Sequence, residues 1–193
     1  MLQLDPRSTA LVLIDVQKGI LAMPMAPYTA QQVTAKAVTL AQHFRRIGAP
    51  VILVRVAFAA DYADRPGHAG DVPMILPPGG LPADWAELAP ELAATPQDVL
   101  ITKRQWSAFY GTELDLQLRR RGMTHIVLGG LMTNFGVEST ARDAFQHNYG
   151  VVIAEDAASS LDAELHRFAI EKILPRVAKI SSSTEVIAAL TVA

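Results

Sequence analysis

The chain contains no cysteine. That single absence excludes disulfides, thiolate-ligated zinc, thiol redox chemistry and a thiolate nucleophile. Neither charge sign dominates, since 17 Lys and Arg are set against 19 Asp and Glu for a net charge of −2. A basic surface for nucleic acid is therefore missing. The one basic cluster, Arg119-Arg120-Arg121, closes a helical pattern at Gly122 and complements the negative end of that helix. No uninterrupted apolar stretch reaches the roughly 18 residues that span a bilayer. The opening segment, MLQLDPRSTALVLID, lacks the basic region, apolar region and cleavage site of an export signal. A soluble, cytoplasmic protein with no nucleic-acid or membrane partner is the expectation.

What is present is material for a sizeable core. Hydrophobic residues make up 50% of the 193, which suits one domain covering residues 1–193. Short apolar runs alternate with helical patterns, the signature of an α/β fold with a parallel sheet between helices. The candidate strands are Ala10–Ile14, Val51–Val56, Val99–Ile101, Ile126–Leu128, Val151–Ala154 and Ala178–Ile180. Most are too short and too uniformly apolar for one-sided amphipathic strands, as expected when both faces are covered. Val33, Ala37, Leu40, Ala41 and Phe44 share one helical face, and Gly48-Ala49-Pro50 ends that helix. Thr112 to Asp115 and Ser182 to Glu185 resemble capping boxes, the second opening a last helix through Leu190. The helix holding Phe145 stops at His147-Asn148-Tyr149-Gly150, with Gly150 suited to a left-handed cap and His147 to the helix end. Between Ala59 and Pro96 the periodicity gives way to a Pro/Gly-rich loop with one short helix near Trp85–Leu92. A loop of that length in a compact domain suits a binding role, here the setting of specificity.

Chemistry-bearing residues fall where a parallel sheet places them, at strand C-terminal ends. Asp15 follows the first strand, Lys103 the third, and Gly136 lies in the turn after the fourth. Burial raises the pKa of such an acid and a neighbouring Lys lowers it, so the pair is either a proton-handling unit or a structural ion pair. The turn, Met132-Thr133-Asn134-Phe135-Gly136, leads straight into a helix and offers backbone N–H groups at its positive end. Trp106, Phe109 and Tyr110 either line a pocket for a flat ligand or pack their loop. Gln17 either bonds a ligand or orders its own loop. Ser139 and Thr140, one turn into the helix, suit packing or backbone bonding rather than nucleophilic rescue. Glu138 and Arg142 have the spacing of a helical ion pair. Asp64 and His68 have helical spacing inside a Pro/Gly-flanked loop, where solvation outweighs metal binding. No metal or other cofactor is expected.

Three ordered segments carry a family resemblance that covers nearly the whole chain. They are Ala10 to Gln17 (ALVLIDVQ), Lys103 to Thr112 (KRQWSAFYGT) and Leu128 to Asp143 (LGGLMTNFGVESTARD). Together they resemble the isochorismatase-like hydrolases, a superfamily that includes nicotinamidases and related cysteine hydrolases. The resemblance implies a three-layer α/β/α, doubly wound sheet of about six strands ordered 3-2-1-4-5-6, and a homodimer or homotetramer. It implies Asp15 as catalytic acid/base, Lys103 as its electrostatic partner, and a cis peptide between Leu131 and Met132 that aims N–H groups at an oxyanion. The departure is Gly136, where the cysteine hydrolases carry their nucleophile. True isochorismatases also have Gly there and cleave a vinyl ether by protonation. The metal-binding Asp-x-His of nicotinamidases is replaced by Arg55-Val56-Ala57-Phe58. The expected activity is Cys-independent hydrolysis of a small metabolite. The expected site is Asp15, Lys103 and Gly136, with Gln17, Trp106, Tyr110, Met132, Thr133, Asn134 and Phe135 around the substrate. The alternative is an inactive family member that binds a small ligand in the same pocket.

Overall fold

The structure, a computed structural model, describes residues 2–67, 70–73 and 75–190. Six parallel strands form one sheet in the order β3-β2-β1-β4-β5-β6. They are β1 (Thr9–Ile14), β2 (Val51–Val56), β3 (Val99–Lys103), β4 (His125–Leu131), β5 (Gly150–Ser159) and β6 (Lys179–Ser181). The expected strand order and class hold. The strands nearest the site run longer than their apolar stretches, β4 through Gly129-Gly130-Leu131 and β5 through Glu155 and Asp156, where polarity and glycine hide the continuation.

The helices are α1 (Lys18–Leu21), α2 (Ala30–Arg46), α3 (Leu114–Arg120), α4 (Glu138–Gln146), α5 (Ala163–Phe168) and α6 (Ser183–Ala189). They cover both faces, so every residue of β1 is buried and its side chains alternate between two cores. Ala10, Val12 and Ile14 join Leu114 and Leu118 of α3 and Ala141 and Ala144 of α4 on one side. Leu11 and Leu13 join Ala37, Leu40 and Phe44 of α2 and Val186 of α6 on the other. Full burial of a Leu or Phe contributes about 1.5–3 kcal/mol each, so this two-sided packing is what holds β1 rigid.

Local signals behave unevenly. Helix α2 presents the expected apolar face, with Val33, Ala37, Leu40, Ala41 and Phe44 all buried. Ser182 and Glu185 form the reciprocal capping box of α6. The Thr112 box does not form. Thr112 Oγ1 accepts from the Leu114 N–H at 3.1 Å, while Asp115 accepts from Arg119 and from the Tyr149 hydroxyl. The left-handed residue after α4 is Asn148, φ 66°, not Gly150, which already begins β5. Asn tolerates that conformation through its short polar side chain. His147 instead stacks on Phe109, with ring centroids 5.2 Å apart. The helix expected near Trp85–Leu92 shrinks to a single 3₁₀ turn at Pro90–Leu92. Arg119 reaches the carbonyl of His147 at the end of α4 and lies 4.5 Å over the Tyr149 ring. Among the described residues no helix is long and apolar enough to cross a membrane.

Candidate active site

The sheet reverses its winding between β1 and β4, and the crevice beyond their C-terminal ends is where such sheets place ligands. The two strands press together there. Ile14 pairs with Gly130, and a Cβ on Gly130 (φ 109°) would fall 2.0 Å from the Ile14 carbonyl oxygen. Asp15 takes the next position in a left-handed conformation, φ 52°, with its N–H donating to Val54 O at 2.9 Å. Few non-glycine residues adopt that backbone, and in a packed site it fixes where the carboxyl points.

The Asp15 carboxyl is buried, with 5% of the residue exposed. Its Oδ2 accepts from Lys103 Nζ at 2.7 Å. Lys103 stands at the end of β3, two strands away, and reaches across β2 with its side chain only 2% exposed. Its ammonium also donates to the Gln105 carbonyl at 3.1 Å. Burial pushes the Asp15 carboxyl up to about 6, against the opposing pull of Lys103 and a smaller one from the Val56 N–H. That N–H makes its own hydrogen bond to Gln17 Oε1 at 2.8 Å, and Asp15 Oδ1 has no hydrogen-bond partner among the described residues.

Beside the carboxyl, β4 ends in a cis peptide between Leu131 and Met132. Thr133–Val137 then form a single π-helical turn that feeds α4, with the Val137 N–H donating to Met132 O at 3.2 Å. A Cβ on Gly136 would sit 3.4 Å from Asp15 Oδ2, and 3.0 Å from both Ile14 Cγ2 and the Leu131 oxygen. Position 136 therefore faces Asp15 directly, in a space that Ile14 and Leu131 already limit.

Asp15 and Gly136 line a cavity of about 500 Å³ together with Met132, Phe135 and Trp106. Trp106 is 63% exposed and tilts against Phe135, centroids 5.0 Å apart. Hollows of similar volume, about 590 Å³ beside β6 and about 620 Å³ beside α5, include neither Asp15 nor Gly136.

The other expected residues sit elsewhere. Gln17 is fully buried and its amide is spent, donating to Val56 O at 3.0 Å and Trp85 O at 3.1 Å. It orders the β1 and β2 loops and does not line the cavity. Thr133 is buried behind the turn against His166 Nδ1, 2.8 Å away, while Asn134 accepts a hydrogen bond from the Ser160 hydroxyl. Tyr110 points into a separate shallow depression with Ser139 and Asp143, and Phe109 packs against Tyr149. Thr140 bonds the backbone, donating to Gly136 O at 2.6 Å and accepting from Ala108 N at 3.0 Å. Arg142 pairs with Glu138 at 2.9 Å. Asp64 bonds Arg104, and His68 lies outside the described residues.

Several wall residues escaped sequence reasoning. Ile20 and Met23 come from the segment after β1, Phe58 from just after β2, Val72 and Trp85 from the long loop, and Leu161 from the segment after β5. Trp85, an aromatic placed in a polar Pro/Gly-rich stretch with no amphipathic pattern to join, was the available signal. The polar wall group Arg104 lay inside the quoted segment after β3, adjacent to Lys103.

Residues 9–185 match the Isochorismatase domain family. The chain is 50% identical over 190 residues to the uncharacterized isochorismatase family protein YecD of Escherichia coli O157:H7, covering 98% of this chain and 100% of that one. It is 45% identical over 184 residues to the uncharacterized isochorismatase family protein YwoC of Bacillus subtilis (strain 168), covering 95% of each. Its fold matches that of an isochorismatase family protein from Burkholderia thailandensis with a TM-score of 0.94 at 44% identity over 98% of both chains. The chain belongs to the isochorismatase family.

Proposed function

We propose that this protein hydrolyses a small metabolite without a covalent nucleophile, with Asp15 as general acid. The observation that carries the reading is the juxtaposition of a buried carboxyl, its Lys103 partner 2.7 Å away, and a side-chain-free position beside it at the floor of an apolar cavity. With its carboxyl raised to about 6, roughly one Asp15 in ten holds its proton at pH 7. In vinyl-ether cleavage that proton goes to the terminal vinyl carbon. Water then adds to the resulting oxocarbenium carbon, and the hemiketal collapses to an alcohol and a carbonyl compound. The proton lost from the added water returns to Asp15. Lys103 stabilises the Asp15 carboxylate as the proton leaves, which lowers the barrier to transfer. The backbone of Met132 and Gly136 offers N–H groups to the alcohol oxygen that departs as the hemiketal collapses.

The test is turnover of a panel of small vinyl ethers and amides by wild type and by Asp15→Asn. Vinyl-ether cleavage that falls by at least about 10²-fold in the variant is the expected result. Equal turnover by both proteins overturns the assignment.

A second reading, a ligand-binding module without turnover, is favoured by one observation: the Asp15–Lys103 pair is closed, and such a pair also serves as a structural bridge. Folded protein that binds a panel member and turns over none would establish it. We also propose, from the family likeness and the exposed Trp106 and Tyr110, that the chain assembles as a homodimer or homotetramer.

A further inference from the structure

Arg104 lines the cavity, and the assignment of Asp15 as acid leaves it without a role. It is the next residue after Lys103, yet its side chain is 39% exposed where that of Lys103 is buried. Lys103, the last residue of β3, turns inward to Asp15, and Arg104, the first residue beyond the strand, turns outward to the cavity wall. The guanidinium is oriented from behind. Arg104 Nε donates to the Asp64 carboxylate, and Nη1 reaches the Lys103 carbonyl at 3.4 Å. Asp64 is itself fixed by the Ala59 N–H, 2.7 Å from its Oδ1, and this bond with the Arg104 pairing holds its carboxyl below the usual carboxylate range. Arg104 Nη2 makes no hydrogen bond among the described residues. Asp15 and Arg104 are the only ionisable lining residues among those described, and most of the wall is apolar. Two aromatic pairs contribute to it: Trp106 against Phe135, and Phe58 stacked on Trp85 with centroids 6.4 Å apart.

A preset guanidinium fork recognises a carboxylate in two-point fashion, and flat aromatic walls select a flat apolar body. We infer that the cavity takes a planar, apolar monocarboxylate, its body against the aromatic walls and its carboxylate on Arg104. This inference rests on the cavity at Asp15 being the substrate site. The second negative charge also disfavours ionisation of Asp15, which keeps more of the acid loaded when the ligand is bound.

The chain has two tryptophans, Trp85 and Trp106, and both line the cavity, so their fluorescence reports occupancy directly. Benzoate and its neutral analogue benzamide are titrated into wild type, Arg104→Gln and Arg104→Lys. Wild type is expected to prefer benzoate by about tenfold or more. Arg104→Gln removes the preference while retaining measurable benzamide binding, which doubles as the control for folding. Arg104→Lys keeps the charge without the fork and retains part of the preference. A preference that survives Arg104→Gln, or no benzoate binding to wild type at millimolar concentration, overturns the inference. The same titration in Asp15→Asn separates the two proposals. Arg104-dependent benzoate binding without turnover of any panel member leaves the anchor standing and removes the acid. Asp15-dependent turnover with a charge preference indifferent to Arg104 does the reverse.

Discussion

Replacing Asp15 with asparagine removes one titrating group whose behaviour in the folded protein follows from its burial. The carboxyl moves from 3.8 to about 6 because burial disfavours its charged form more than Lys103 favours it. Between those two values the folded protein holds a proton that the unfolded chain has already lost. Stability therefore declines as pH rises through that window, and it levels off above about 6. The interval corresponds to about 3 kcal/mol at full expression. The Asn variant has no such proton, so the difference in unfolding free energy between wild type and variant isolates the term. Urea unfolding of both proteins at half-unit steps from pH 4 to pH 7.5 is the assay. Relative to the variant, wild type is expected to lose about 2.5 kcal/mol across the series, because the unfolded carboxyl is already partly ionised at pH 4. Titrations common to both proteins cancel. A difference that stays flat, or that moves in favour of wild type as pH rises, means the Lys103 attraction cancels or exceeds the burial cost. Asp15 would then be a permanently ionised bridge, and acid catalysis near neutral pH would lose its proton donor.

Two further perturbations test the geometry around this pair. Gly136→Cys introduces the only thiol of a cysteine-free chain, with its Cβ 3.0 Å from Ile14 Cγ2 and from the Leu131 oxygen. The crowding is expected to cost about 1–2 kcal/mol in urea unfolding. The thiol should also take up one iodoacetamide label in the folded state, read by intact mass; labelling only after denaturation refutes the placement of position 136 on the cavity wall. Gln17→Ala removes the side chain that ties Val56 and Trp85 together and leaves a buried N–H without an acceptor. A loss of about 3 kcal/mol by the same assay is expected, and a loss under about 1 kcal/mol would show that water replaces the amide.

Much of the fold was legible because mostly apolar strands and one strongly amphipathic helix leave few alternatives. Each stretch from Ala10 to Ile14 and from Val51 to Val56 is too short for a helix and too apolar for an exposed edge. Strand ends were less legible. Leu131 and Ser159 belong to strands only because β4 and β5 resume pairing after an irregularity between Leu128 and Gly130, and such a tertiary register leaves no local pattern. Capping failed at Thr112 because Asp115 found stronger partners in Arg119 and Tyr149 than a backbone N–H. Those partners come from elsewhere on the helix and from a later segment, beyond what a four-residue motif records.

The candidate site divides along the same line. Asp15, Met132, Phe135 and Gly136 could be placed because they stand at the ends of strands, where the chain's course decides what faces the crevice. Gln17 and Thr133 could not, because side chains decide there: the first turns inward to bond Val56 and Trp85, the second turns behind to His166. Gly136 shows the limit of reasoning from a residue's identity alone. A missing side chain suggests spare room for a ligand, but Ile14 and the Leu131 oxygen already occupy the edges of that space. The cavity owes much of its wall instead to Val72 and Trp85 of the long loop and to Phe58, Trp106 and Phe135. On the proposed reading, position 136 contributes only backbone beside Asp15, and selection among ligands falls to the aromatic wall and Arg104. Substitutions on that wall should change which molecule enters, whereas substitutions at Asp15 should chiefly change what happens to it.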